Sequence, residues 1–98
     1  MSEQNQKWTF LSNHTHVLIC IIKDQTVRMR DLAEEVGITE RAIQRIVADL
    51  RDAGYLSLKR QGRRNHYLVH THTPMRHPVE SHCLVSDLLE PILNNTDT

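Results

Sequence analysis

The sequence lacks the features of a membrane protein or a secreted disulfide scaffold. Its longest apolar run, Val17 to Ile22, is far shorter than the roughly 18 residues of a transmembrane helix. The first eight residues, MSEQNQKW, are polar and contain no signal-peptide core. Two cysteines, Cys20 and Cys83, are too few for a disulfide framework and are typical of reduced thiols. We therefore expect a cytoplasmic protein that does not contact a membrane.

The motifs of the common enzyme classes are also missing. The chain has no glycine-rich phosphate loop, and no Ser or Cys stands in a recognised arrangement with a nearby base. Neighbouring carboxylates occur only at Glu34 and Glu35, which a helix surface explains. We therefore expect no enzyme and no catalytic residues.

The charges balance overall but are unevenly distributed. The 98 residues are enough for one domain, and apolar and charged fractions of 39 % and 24 % are ordinary for a soluble globular protein. Residues 39–66 contain seven basic and three acidic side chains, whereas residues 67–98 contain one basic and four acidic. Such a chain can bind a polyanion at one face, although a solvated charged surface has the same composition.

The first apolar block and the residues after it predict a helix and a short strand. Ser12 and Asn13 are favoured N-cap residues ahead of the block from Val17 to Ile22, which we interpret as a helix, although a buried strand gives the same pattern. Val27 and Met29 alternate with arginines, which predicts a very short strand.

The next stretch predicts two helices joined by a tight turn. RDLAEEVG has the apolar spacing of a two-turn helix that ends at Gly37. Thr39 is a predicted N-cap, and Glu40 suits the first turn of the next helix, which extends to about Ala53. Its apolar residues recur at helical spacing: Ile43, Ile46, Val47 and Leu50.

The last third of the chain predicts a hairpin, a linker and a final helix. YLSLKRQ and HYLVH alternate apolar and polar residues around the tip GRRN, as in a β-hairpin. THTPMRHP is a predicted linker. Pro91 should shorten or bend the helix that follows, which has four apolar residues on one face: Leu84, Leu88, Leu89 and Ile92.

This order of elements resembles that of a winged helix-turn-helix regulator. The resemblance is carried by LAEEVGITERAIQRIVADLRDAGYL, Leu32 to Leu56, and by the hairpin through Val69. The chain looks like a small bacterial or archaeal transcriptional regulator of the broad MarR/ArsR group over residues 28–70, and more loosely over residues 12–25. The resemblance implies an α+β, mostly helical fold with a three-helix core, a β-hairpin wing and a C-terminal helix.

One residue departs from the family pattern, and the pattern also suggests how the chain is divided. Met29 stands where many relatives place a capping Ser or Thr.

We expect a disordered N-terminus at residues 1–8, the DNA-binding domain at residues 9–72, and a linker and C-terminal helix at residues 73–98. The first helix and the Leu84 to Ile92 segment carry more apolar surface than the small motif core can use, so we expect them to form a homodimer.

The helix from Thr39 to Ala53 is the predicted recognition helix. Placed at 100° per residue, its polar side chains lie opposite its apolar ones. Arg pairs with guanine and Gln with adenine in the major groove, while a small residue permits close approach. A plain solvated helix surface is the alternative. The predicted DNA-binding residues are Thr39, Glu40, Arg41, Gln44, Arg45 and Ala48.

The hairpin tip is the second predicted DNA contact. Its clustered cations repel one another unless an anion or salt screens them, and DNA phosphates would do so. The alternative is a solubilising loop that protects an edge hairpin from aggregation. The predicted wing residues are Lys59, Arg60, Arg63, Arg64 and Asn65.

Two other functions fit the same fold. One is a winged-helix module that binds protein instead of DNA. The other is a metal- or thiol-responsive regulator, since five side chains near the C-terminal segment could ligate Zn²⁺: His70, His72, His77, His82 and Cys83. None of the strong metal-binding spacings is present, so we expect no cofactor and no metal site. The sequence indicates no particular effector.

Overall fold

Four helices and a two-stranded antiparallel sheet form the fold. The structure is a computed structural model that describes residues 8–95. Apart from Trp8, the predicted disordered N-terminus therefore lies outside the described residues. None of the helices in residues 8–95 is long and apolar enough to cross a bilayer. In chain order the elements are α1 (Asn13–Lys23), α2 (Met29–Val36), α3 (Glu40–Asp52), β1 (Leu56–Gln61), β2 (Arg64–Val69) and α4 (Val85–Asn94).

A single apolar core joins these elements. The predicted core face of α3 is buried, with Ile43 fully inaccessible to solvent. Tyr67 of β2 is 1 % exposed, so the wing is attached to the helices by its own aromatic ring. The core also includes Leu32 of α2 and Leu89 of α4. The three helices and the hairpin therefore confirm the predicted winged helix-turn-helix.

The turn between α2 and α3 is built as its residues predict. Gly37 takes the left-handed conformation at φ 87°, which residues with a side chain adopt only at a cost in free energy. Its N–H donates to Ala33 O. Two residues later, Thr39 Oγ1 accepts a hydrogen bond from the Ala42 N–H at 3.1 Å. This cap fixes where α3 starts and, with the glycine, the angle between the two helices.

The short strand expected at Val27 and Met29 is wrong. Helix α2 starts at Met29, which leaves too few extended residues for a strand. The Val27 N–H instead donates to Asp24 O at 3.1 Å within a turn, and the bond to β2 is made by Gln25 O, two residues before Val27, which accepts from the Tyr67 N–H at 2.9 Å. Arg28 is the N-cap of α2 and makes no side-chain capping bond. The N-cap position is therefore Arg28, one residue before Met29, and α2 has no side-chain cap there, as the family comparison at Met29 led us to expect.

The wing is a regular hairpin with a two-residue turn. Leu56 pairs with Val69 at its base and Gln61 with Arg64 at its tip, so that Gly62 and Arg63 form the turn. Gly62 has φ 60°, as the two-residue turns of β-hairpins require. The second strand begins at Arg64, two residues earlier than the sequence predicted.

The C-terminal segment is an organised part of the same core, and two expectations about it need correction. The Tyr55 hydroxyl donates to Pro74 O at 2.8 Å, and Pro74 and Leu84 form a β-bridge, which closes the predicted linker into a loop. Leu84 is the N-cap of α4 and not a residue of its apolar face, where Val85 lies instead. Helix α4 continues past Pro91, since that residue lies on the exposed side, where water can satisfy the freed carbonyl.

Cys20 of α1 provides a test of this packing. Burial is the main reason that the pKa of its thiol is raised from 9.0 to about 11; Glu35 raises it further and Lys23 opposes this. In a Cys83→Ala variant, the alkylation rate of Cys20 should keep rising with pH until about 11, whereas in urea it should level off near 9.

The raised pKa of Cys20 also makes the contribution of this thiol to the stability of the folded protein depend on pH. The folded protein keeps the thiol proton after the unfolded chain has lost it, so the contribution of Cys20 to stability is complete below pH 9 and disappears as the pH rises through about 11. Identical pH profiles for alkylation in the folded and unfolded protein would contradict this burial.

Candidate nucleic-acid interface

The exposed face of α3 is the first part of the site. The predicted side chains at i, i+3, i+4 and i+7 are all exposed: Arg41, Gln44, Arg45 and Ala48. They lie opposite Ile43, Ile46, Val47 and Leu50, all of them buried. The core therefore fixes the rotation of α3 about its axis and directs the polar face to solvent. This face can enter a groove without unpacking any core residue.

The charge of this face changes along the helix. Arg41 and Arg45 are in its first two turns, whereas Asp52, one turn beyond Ala48, shares the face at its C-terminal end. Asp49 lies close by and is hydrogen-bonded to His14. Arg51, also exposed in the last turn, partly offsets these carboxylates, so a polyanion is attracted more strongly to the N-terminal half of α3 than to its C-terminal half. Recognition helices contact base edges with this same N-terminal half.

Thr39 and Glu40 stand at the start of α3, and both are exposed. Thr39 uses its oxygen to cap the helix, which leaves its hydroxyl proton free to donate to a phosphate. Glu40 lies in the first turn of α3, where its negative charge interacts favourably with the positive end of the helix dipole. When ionised, its carboxylate can only accept hydrogen bonds. The amino group of cytosine is the base-edge donor that suits it.

The wing presents its cations without acidic partners. Lys59, Arg60, Arg63 and Arg64 are exposed, and Asn65 is half-buried opposite Arg60 in the hairpin. Among the residues that the structure describes, no carboxylate lies within 4.0 Å of any of these cations. Arg60 Nε–H donates only to Gly62 O, at 3.5 Å. The cations at the hairpin tip are thus available to phosphates.

The structure adds a contact surface that the sequence did not indicate. Thr26 and Arg28, just before α2, face Arg63 and Arg64 of the wing across a concavity of about 390 Å³. Arg64 Nη1 lies 3.4 Å from Thr26 Oγ1. This surface, which we call the α2–wing cleft, brings Arg28 near Arg63 and Arg64, which follow it by more than thirty residues in the sequence. Only the position of Arg28 next to a helix start could have indicated it.

One polar contact joins the start of α1 to the C-terminal half of α3. His14 Nε2 at the start of α1 lies 2.9 Å from Asp49 Oδ2 in the C-terminal half of α3. Both side chains are about half exposed, so this pair adds little to stability. Its effect is to hold the C-terminal end of α3 against α1.

The metal-ligand candidates are not brought together. Nowhere in residues 8–95 do three His, Cys, Asp or Glu side chains form a set that could hold a metal ion. His70 is hydrogen-bonded to Ser57, and His77 Nδ1 accepts from the Val79 N–H at 3.1 Å. His72 and His82 are exposed, and Cys83 is half-buried. The absence of a cofactor remains a prediction from the sequence.

Comparison with known proteins finds a family match, which covers the first three helices and ends before the wing cations. Residues 12–57 match the family model described as winged helix-turn-helix DNA-binding. The match spans α1, α2, α3 and the start of β1, and therefore includes the whole exposed face of α3. No curated protein matches the chain. The match does not separate the MarR and ArsR groups, so that part of the resemblance stays a prediction.

Proposed function

Because residues 12–57 match the family model described as winged helix-turn-helix DNA-binding, we propose that the protein is a transcriptional regulator that reads specific double-stranded DNA with α3. The observation that carries this proposal is the exposed row Arg41, Gln44 and Arg45 on a helix whose opposite face is fully packed. An α-helix fits the major groove, and these side chains can reach base edges there.

The proposed base contacts follow from the chemistry of each side chain. Arg41 and Arg45 each present a fork of N–H donors that matches O6 and N7 of guanine, and Gln44 matches N6 and N7 of adenine. Ala48 adds no bulk, so the backbone of α3 can approach a thymine methyl group. Thr39 would hold a phosphate at the helix start.

The wing and the α2–wing cleft would bind the DNA backbone on either side of the groove. None of the cations on these surfaces has an acidic partner in the described part of the chain, so a phosphate could approach each of them. These five cations are Arg28, Lys59, Arg60, Arg63 and Arg64. Such contacts set affinity and register without selecting a base sequence.

We further propose that two copies act together. One recognition helix reads only a few base pairs, and dimers bind half-sites one helical turn, about 34 Å, apart. Helix α4 uses Val85 and Leu89 within its own core; it therefore offers a dimer less apolar surface than the sequence suggested.

A salt series tests DNA binding and the wing together. Log affinity for duplex DNA should fall linearly with log salt, with a slope of about −4 to −5 per domain if the five cations contact phosphates. Replacing Arg63 and Arg64 by alanine should reduce the magnitude of that slope by about two and weaken binding to all sequences alike. Arg76→Ala, in the C-terminal loop, is the matched control and should leave the slope unchanged. Absent or salt-insensitive binding would contradict the proposed function.

A further inference from the structure

An open groove lies between the start of α1 and α4. It has a volume of about 540 Å³ and is completed by the last turns of α3 and by the loop that joins β2 to α4. Its floor consists of core side chains, among them Leu18, Leu50 and Leu89, which keep only 1–6 % of their surface exposed. Such a narrow floor can contact one ring or a short alkyl chain, but not the surface of another protein. We call this feature the α1–α4 groove.

The rim of the groove carries more negative than positive groups. Three carboxylates line it: Asp49, Asp52 and Glu80. The basic side chains on the rim are Arg76 and His14, and His14 is already hydrogen-bonded to Asp49. In the described part of the chain, no cation lies within 4.0 Å of Asp52 or Glu80. Both carboxylates are exposed and can therefore pair with a cation from solution.

The end of α3 adds to this negative potential. Asp52 is the last residue of α3, and both it and the C-cap residue Ala53 line the groove. The C-terminal end of a helix has a partial negative charge that favours cations near its last turn. Arg51 of the same turn does not line the groove. Arg76 is exposed, so its long stem lets the guanidinium extend into water. The groove therefore attracts a cation above an apolar floor.

An aromatic wall suits the same ligand. Tyr55 lines the groove, and its hydroxyl donates to Pro74 O at 2.8 Å, which holds the ring in place. The face of an aromatic ring attracts an ammonium group within about 6 Å of the ring centre. Carboxylates, an aromatic ring and an apolar floor together match an amine that has an apolar body.

We propose that the α1–α4 groove binds a small organic amine in its ammonium form. The ammonium group pairs with the free rim carboxylates of Asp52 and Glu80, and the apolar body covers the floor. The volume lies within the roughly 300–1,000 Å³ of ligand pockets in proteins. The groove uses the C-terminal half of α3 and leaves Arg41 and Arg45 free. Binding therefore requires no DNA, so its test is separate from that of the proposed function.

Three probes of similar size separate the contribution of charge from that of apolar contact. Phenethylammonium, phenethyl alcohol and hydrocinnamate share one ring and are positive, neutral and negative at neutral pH. Each is titrated into the full chain without DNA, and the backbone amide NMR signals are followed. We expect saturable shifts at Tyr55 and Leu88 with phenethylammonium. The alcohol should bind about tenfold more weakly, because it lacks two partly exposed ion pairs, and hydrocinnamate more weakly still.

Variants of the rim assign the binding to the groove. Asp52→Asn with Glu80→Gln should weaken phenethylammonium about tenfold and leave the alcohol unchanged. Both side chains are exposed and make no ion pair in residues 8–95, so this variant remains folded. Glu34→Gln is the matched control, since Glu34 is exposed on α2 and does not line the groove; it should change neither affinity.

Four results would overturn the proposal. The first is equal binding of the ammonium and the alcohol, and the second is strongest binding of hydrocinnamate, which would assign the groove to Arg76 and an anion. The third is an undiminished affinity for phenethylammonium in the double variant. The fourth is no binding of any probe, with groove signals that instead follow protein concentration, which would mean that a second copy of the chain occupies the groove.

Discussion

Replacing Arg41 and Arg45 together by alanine should cost about 2–6 kcal/mol of affinity for the preferred DNA site, because each arginine paired with a guanine contributes about 1–3 kcal/mol of discrimination. Binding to unrelated duplex should fall much less, since the wing and the α2–wing cleft keep their cations. Both arginines are exposed on α3, so the variant keeps its fold. The measurement is the ratio of affinities for the selected and an unrelated duplex.

A second variant separates base reading from charge. Changing Arg41 and Arg45 to lysine keeps both positive charges but removes the planar fork that binds two guanine atoms. This variant should also lose the preference for its site while its affinity for unrelated duplex stays near that of the unmodified protein. An equal loss on both duplexes would mean that these arginines contact only phosphates.

Replacing Ile43 by alanine should lower the free energy of unfolding by about 2–5 kcal/mol, because Ile43 is fully buried and its removal leaves a cavity in the core. This is a large share of the 5–15 kcal/mol that is typical of a small domain. The urea midpoint should fall at an unchanged dependence on denaturant.

Gln44→Ala is the control on the opposite face of α3. Gln44 is exposed, so its loss should change stability by no more than about 0.5 kcal/mol. It should instead weaken binding at an adenine position. If Gln44→Ala destabilised the protein as much as Ile43→Ala, the assignment of the two faces would be wrong.

Local signals explain why the centre of the fold was predictable. The direction of α3 depends on Gly37 and Thr39, whose backbone preference and capping chemistry act within a few residues. The helical period then determines both faces at once, so the buried row and the exposed row follow from the same four-residue spacing. The predicted positions in α3 were therefore recovered, whereas their contacts with DNA remain a proposal.

The features that were missed depend on contacts between distant residues. Alternation at Val27 and Met29 suggested a strand, but α2 starts at Met29 and the backbone bond to β2 is made two residues before Val27, by Gln25. The α2–wing cleft exists only because the hairpin folds back beside Arg28. Likewise, the packing of Val85 and Leu89 of α4 into the core of the domain was not visible from the apolar spacing of that helix, whereas the expected dimer stays a prediction. None of these three contacts has a local sequence signal.

Selection of bound sequences from a random duplex library shows whether α3 reads bases through its exposed N-terminal half. We expect enrichment of one sequence, with two half-sites about one helical turn apart, and loss of that enrichment in the variant with lysine at both arginine positions. A pool that stays random although the protein binds DNA, or the same sequence selected by that variant, would contradict it.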